Sequence, residues 1–114
     1  MPPPMTFPSP AGIRLDGLFG RALAASQSAH LTQFIQDETS PPIALFCPEH
    51  TRHNHEGDWY GEHAGKWLCA AARAVERTGD AALSANVRRV ADYLIGLQDT
   101  DGYLGTYVPA QRFD

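Results

Sequence analysis

The sequence predicts an all-α fold built from helical hairpins, and three observations carry that prediction. Apolar residues recur at helical spacing from Leu15, again from Ala64 and again from Leu83. The last two stretches are joined by Arg77-Thr78-Gly79-Asp80, a helix stop followed at once by a helix start. A linker that tight between two amphipathic helices makes them antiparallel neighbours with one shared apolar side.

The elements follow in chain order. Residues 1–12 hold five of the nine prolines and read as an extended, mobile arm, with the folded domain spanning 13–114. Leu15, Leu18, Phe19, Ala22, Ala25 and Ala29 share one helical face, with Asp16 or its predecessors as a weak cap. Thr32 to Ile35 either continue that helix or form a separate turn. Thr39-Ser40-Pro41-Pro42 ends it, because proline lacks the amide and restricts the residue before it. Residues 39–60 read as an irregular connection in which Ile43-Ala44-Leu45-Phe46 is a short apolar run, either extended or an anchored loop.

The second helix is expected to start near Glu62, with Ala64, Trp67, Leu68, Ala71 and Val75 on one face and Glu62–Lys66 as a favourably ordered i, i+4 pair. Gly79 suits the left-handed position that closes this helix, and Asp80 suits the cap of the next. The third helix carries Leu83, Val87, Val90, Ala91 and Leu94 on one face and runs to about Gln98. Asp101-Gly102 is then a strong turn signal inside a loop with two glycines and two tyrosines.

Bulk composition bounds the function. The chain has 114 residues, one ordinary domain, with 43% hydrophobic residues and a formal charge of −4 mixed along its length. No basic stripe invites nucleic acid, and no apolar run is long enough to span a membrane. The opening MPPPMTFPSP has neither a basic start nor an apolar core, so the expected localisation is cytoplasmic. Cys47 and Cys69 lack CxxC spacing and read as free thiols.

Several residues bear chemistry. His50, His53, His55 and His63 lie near Glu49, Glu56, Asp58 and Glu62, which is ample ligand chemistry, but HExxH is absent and no metal-site spacing is matched. Those histidines read first as a polar loop with partly exposed imidazoles; the other reading is a metal-binding helical domain that uses His53 and His55. Asp58, Glu62, Asp99 and Asp101 are carboxylates of the type glycoside hydrolysis uses, though no two are placed at a working separation by sequence. No GxSxG elbow and no glycine-rich phosphate loop occurs. The aromatics say more. Antiparallel packing of the second and third helices brings Gly57–His63 and Asp99–Tyr107 to one end. Trp59, Tyr60, Tyr103 and Tyr107 then cluster with short carboxylates. Flat rings that stack on sugar C–H faces, beside carboxylates that grip hydroxyls, suit sugar recognition. The other reading is that these rings only plug the end of a helical layer.

The stretch Gly-Asp-Trp-Tyr-Gly-Glu-His-Ala-Gly-Lys-Trp-Leu (57–68), the alanine-rich helix ending Arg-Thr-Gly-Asp (77–80), and Gln98-x-x-Asp-Gly-Tyr-Leu-Gly-Thr-Tyr (to 107) together resemble the β-L-arabinofuranosidase family, glycoside hydrolase family 127 and its relatives. The resemblance spans about residues 15–114 and is strongest from 57 to 107. It implies an α/α barrel of helical hairpins, of which this chain would be the N-terminal hairpins, an incomplete toroid. It implies a carbohydrate partner, an arabinofuranoside-like sugar, when the domain is complete. Asp58, Glu62, His63, Lys66, Trp67, Asp101, Tyr103 and Tyr107 are the positions it points to as sugar-binding or site-supporting. In the family a cysteine nucleophile sits with other cysteines and a glutamate around zinc, with a second glutamate as acid/base. Those residues lie downstream of the Asp-Gly-Tyr loop, so no catalytic residue, no metal ligand and no cofactor is assigned to this chain. Gly61-Glu62-His63 stand where the larger branch of the family carries aspartate and serine ahead of Lys-Trp. The expectation is an N-terminal fragment, inactive alone, that exposes apolar helix faces and self-associates through them. The alternative expectation is a small helical module that binds carbohydrate or protein without catalysis.

Overall fold

The computed structural model describes residues 5–51 and 60–112. All regular structure among them is helical, as the periodicity predicts: a 3-10 turn Pro10–Gly12, α1 Gly17–Ala25, a π-helical stretch Ser26–Leu31, α2 Pro41–Ala44, α3 Pro48–Thr51, α4 Tyr60–Thr78, α5 Ala81–Gly96 and a 3-10 turn Pro109–Gln111.

The α4–α5 hairpin forms where the sequence places it. Gly79 takes φ +67° and its N–H donates to the Val75 carbonyl at 2.8 Å, so α4 closes through a left-handed residue that a side chain would strain. The Asp80 carboxylate accepts the Leu83 N–H at 3.0 Å and the Gln27 side-chain amide at 3.0 Å. These two contacts, the backbone one first, hold its carboxyl below the ordinary carboxylate value. A lowered value means the cap's contribution is complete above the unfolded-state pKa and is lost as pH falls through the folded one. Asp80→Ala should therefore lower the melting temperature by several degrees at pH 7, and the gap to wild type should shrink as the pH is taken below 4. Thermal melts by circular dichroism across that range check it; a gap that widens in acid contradicts the capping account.

Side chains at 64, 67, 71 and 74 repeat every three and four residues, so one stripe of α4 faces the core. Three of the four are alanine, which lets α5 approach closely and insert Leu83, Val90 and Leu94. Ile35 and Ile43 complete the core from the connecting segments. Trp67 is 4% exposed, and its indole N–H donates to the Leu31 carbonyl at 3.0 Å, which pins the π-helical stretch onto α4. α5 ends at Gly96, two residues short of Gln98. The Leu97 N–H turns back to the Leu94 carbonyl, and the Gln98 amide reaches forward to the Gly102 carbonyl at 2.7 Å.

The 39–60 connection departs from expectation. Ile43–Phe46 is not extended. Ile43 and Ala44 lie in α2, their N–H groups donating to the Ser40 carbonyl at 2.8 and 2.9 Å. Pro41 and Pro42 explain the difference: at the first two helical positions their missing amides cost nothing and their fixed φ starts the turn. The same prolines that stop one helix start another. The Ser40 hydroxyl accepts the Gln36 and Asp37 N–H groups at 3.0 and 3.2 Å, so the turn is tied to the segment before it.

α1 behaves differently from the hairpin. It buries no residue, and Leu18 and Phe19 are 70% and 73% exposed. Asp16 occupies the cap position, yet its carboxylate pairs with Arg14 at 3.1 Å instead of capping. The helix then widens into π geometry where the hydroxyls of Ser28 and Thr32 take the Ala25 and Ser28 carbonyls at 3.2 and 2.5 Å. The Cα radius of gyration is 17.4 Å, against about 13 Å for a compact domain of this length. α1, which buries no residue, is in keeping with that openness. No helix among the described residues is long and apolar enough to cross a membrane.

Candidate functional site

The first turn of α4 and the loop after α5 meet at one end of the hairpin. A Cβ on Gly61 would lie 3.5 Å from the Phe46 ring and 3.7 Å from the Thr106 methyl, ordinary contact distances. Thr106 is buried there. The convergence expected from antiparallel helices is therefore present.

The loop is shaped by local bonds. The Gly102 N–H donates to the Asp99 carbonyl and the Asp99 N–H to the Tyr103 carbonyl, both at 2.9 Å. Gly102 has φ +90°, which only glycine adopts readily. The Asp101 carboxylate accepts the Tyr103 N–H at 2.9 Å, an Asx turn that sets the direction of Tyr103. The Tyr107 N–H donates to the Tyr103 phenol oxygen at 3.2 Å. Arg112 closes the assembly, with Nη1 2.7 Å from the Asp99 carboxylate and its guanidinium 3.9 Å from the centre of the Tyr103 ring.

These groups enclose a cleft of about 280 Å³, whose walls include Phe46, Leu97, Asp99, Tyr103, Tyr107 and Arg112. Two tyrosines, an apolar wall that includes Phe46 and Leu97, and hydrogen-bonding groups at the rim fit a small polyol ring better than a flat apolar ligand. A depression of about 390 Å³ lies at the other end of the hairpin, beside Thr32, Gln36, Asn86 and Arg89. Its polar groups hold elements together: the Asn86 amide donates to the Ile35 carbonyl at 2.8 Å and Arg89 donates to the Gln36 carbonyl. It is larger, but its polar side chains already serve as staples between the 32–36 segment and α5.

The sequence-predicted residues fall in distinct places. Tyr103 and Tyr107 line the cleft, and Asp101 shapes the loop that carries them. Glu62 and Lys66 form an exposed ion pair on the outer turns of α4, and the Lys66 hydrogen bond lowers the Glu62 carboxyl first, its charge second. His63 meets Phe34 edge-on, ring centres 6.3 Å apart. Trp67 sits in the core, away from the cleft lining, and ties α4 to the Leu31 carbonyl. Asp58, with Trp59, lies outside the described residues. Sequence reasoning did not single out Phe46, Leu97 or Arg112 for this site. Phe46 carried a signal, as the end of an apolar run between two helices; Arg112 carried none, since only the folded loop brings it to Tyr103.

Cys47 is half-buried and Cys69 exposed on a separate element, and no three His, Cys, Asp or Glu side chains gather among the described residues. His53 and His55 lie outside them.

Residues 19–113 match the family model described as the β-L-arabinofuranosidase GH127 catalytic domain. Comparison with curated proteins and with solved structures gives no match.

Proposed function

The chain belongs to the β-L-arabinofuranosidase GH127 catalytic-domain family, and from that premise we propose that it forms the N-terminal part of a glycoside hydrolase catalytic domain and supplies part of its sugar-binding rim. The observation that carries this reading is the cleft walled by Tyr103 and Tyr107 in the 99–112 loop, beside the point where Thr106 of that loop meets Gly61 in the first turn of α4. The rings offer stacking surface to the C–H face of a furanoside. Asp99, on the cleft wall, offers a carboxylate that accepts from its hydroxyls. This chain binds and orients; the nucleophile and the acid/base come from outside residues 1–114. The α4–α5 hairpin is one stave of an α/α barrel. The exposed Leu18, Phe19 and Ile95 mark faces that neighbouring hairpins cover, and uncovered faces of this kind favour self-association.

The test pairs binding with turnover. Calorimetric titration with methyl β-L-arabinofuranoside should give a dissociation constant on the order of 1 mM, a weak contact worth about 4 kcal/mol. Tyr107→Ala should weaken it severalfold. An aryl β-L-arabinofuranoside should not be hydrolysed above background. Turnover at an ordinary enzymatic rate, about 10 per second, or no heat at tens of millimolar sugar, contradicts the proposal.

A further inference from the structure

We infer that Arg112, with Asp99 as its counter-ion, is the positioning residue that latches the tyrosine loop in its sugar-facing shape. As a determinant of sugar binding it rests on the rim reading above.

The inference starts from where Arg112 spends its contacts. Its side chain is 17% exposed, unusual for an arginine in a loop. One nitrogen pairs with Asp99 at 2.7 Å, the residue that begins the loop. The guanidinium plane lies 3.9 Å from the Tyr103 ring centre, within cation–π range. Nε donates to the Tyr107 carbonyl at 3.4 Å. One side chain thus touches the start of the loop and both tyrosines. The local bonds at 98–103 fix the turn, whereas Arg112 ties that turn to Tyr107 and to the chain after it.

Only arginine does all three at once. Its planar fork bonds a carboxylate with one edge while its face stacks on a ring. Lysine can keep the charge pair with Asp99 but presents no plane to Tyr103. Because Arg112 covers one face of Tyr103, a sugar has the other face of that ring and the Tyr107 ring, which is 38% exposed. Arg112 therefore sets which face of Tyr103 is left for stacking, and it adds to the Asp101 and Tyr107 bonds that orient the ring.

The experiment reads the free chain first and the sugar second. In the nuclear magnetic resonance spectrum of wild type, the Arg112 δ-methylene and Nε–H protons should be shifted upfield by the Tyr103 ring, and Tyr103→Leu should remove that shift. Arg112→Gln should move the Tyr103 and Tyr107 amide resonances while leaving those of Val90 and Leu94 in the core unchanged. It should also weaken methyl β-L-arabinofuranoside binding about tenfold. Asp99→Asn should move the same resonances, and the double variant should leave the Tyr103 and Tyr107 amides where Arg112→Gln alone puts them. Arg112→Lys should recover the melting temperature without recovering affinity. An Arg112 side chain with no upfield shift, or tyrosine resonances indifferent to Arg112→Gln, overturns the latch. So does full affinity in Arg112→Gln. Should wild type bind no sugar while Arg112→Gln still moves both tyrosines, the latch stands and the rim reading falls.

Discussion

Trp67→Ala should remove about 3–5 kcal/mol of stability, a large share of the roughly 5–15 kcal/mol that folded domains hold. The indole is buried in the stripe formed with Ala64, Ala71 and Ala74. Its neighbours across the stripe are small, so they have little side chain with which to refill the space. The substitution also strands the Leu31 carbonyl, whose indole donor at 3.0 Å disappears. Trp67→Phe separates the two effects. It keeps most of the apolar area and loses the donor, so it should cost roughly 1–3 kcal/mol, the penalty of one unsatisfied buried group. Urea titration followed by circular dichroism measures both. Near-wild-type stability in Trp67→Ala would place the tryptophan outside the core and undo the account of how α4 is held.

Gly105→Ala should cut sugar affinity at least tenfold with a change of only a few degrees in melting temperature. A Cβ at 105 would fall 2.5 Å from the Tyr103 phenol oxygen and 2.8 Å from the carbon that bears it. Cβ atoms do not survive at those distances, so the ring must swing away. It then leaves both the Arg112 guanidinium and the Tyr107 N–H. The loop is at the surface and the α4–α5 core does not depend on it, which keeps the effect local. Gly65→Ala is the control. A Cβ there enters open space in mid-helix, so it should stabilise the chain by about 0.5–1 kcal/mol and leave affinity alone. Equal losses of affinity in the two variants contradict the Tyr103 argument.

The hairpin was legible because its signals are local. The 3- and 4-residue spacing of Ala64, Trp67 and Ala71 marks a core stripe, and Gly79-Asp80 is a stop and a cap whose geometry needs no tertiary help. Ala74 joins the stripe in the structure by the same spacing. The Pro41-Pro42 pair was ambiguous in principle, since proline both ends a helix and opens one, and the burial of Ile43 decides between them only in the fold. The exposed apolar face of α1 could not be told from a core face by period alone, because periodicity reports an apolar stripe and not its partner. At the site, the convergence of the tyrosine loop with the α4 first turn, made through Thr106 and Gly61, followed from antiparallel helices. The roles of individual side chains did not: Arg112 reaches Tyr103 by tertiary geometry, and the His63 and Phe34 rings meet in a T-shaped pair.

The central claim is that sugar binds at the end of the hairpin where α4 begins and the tyrosine loop closes. Amide chemical-shift mapping during titration with methyl β-L-arabinofuranoside tests it most directly. The account predicts saturable shifts at Gly102, Tyr103, Gly105 and Tyr107, with Thr32, Gln36 and Asn86 at the opposite end unmoved. Shifts confined to Thr32, Gln36 and Asn86, or none at the tyrosine loop at saturating sugar, would contradict it.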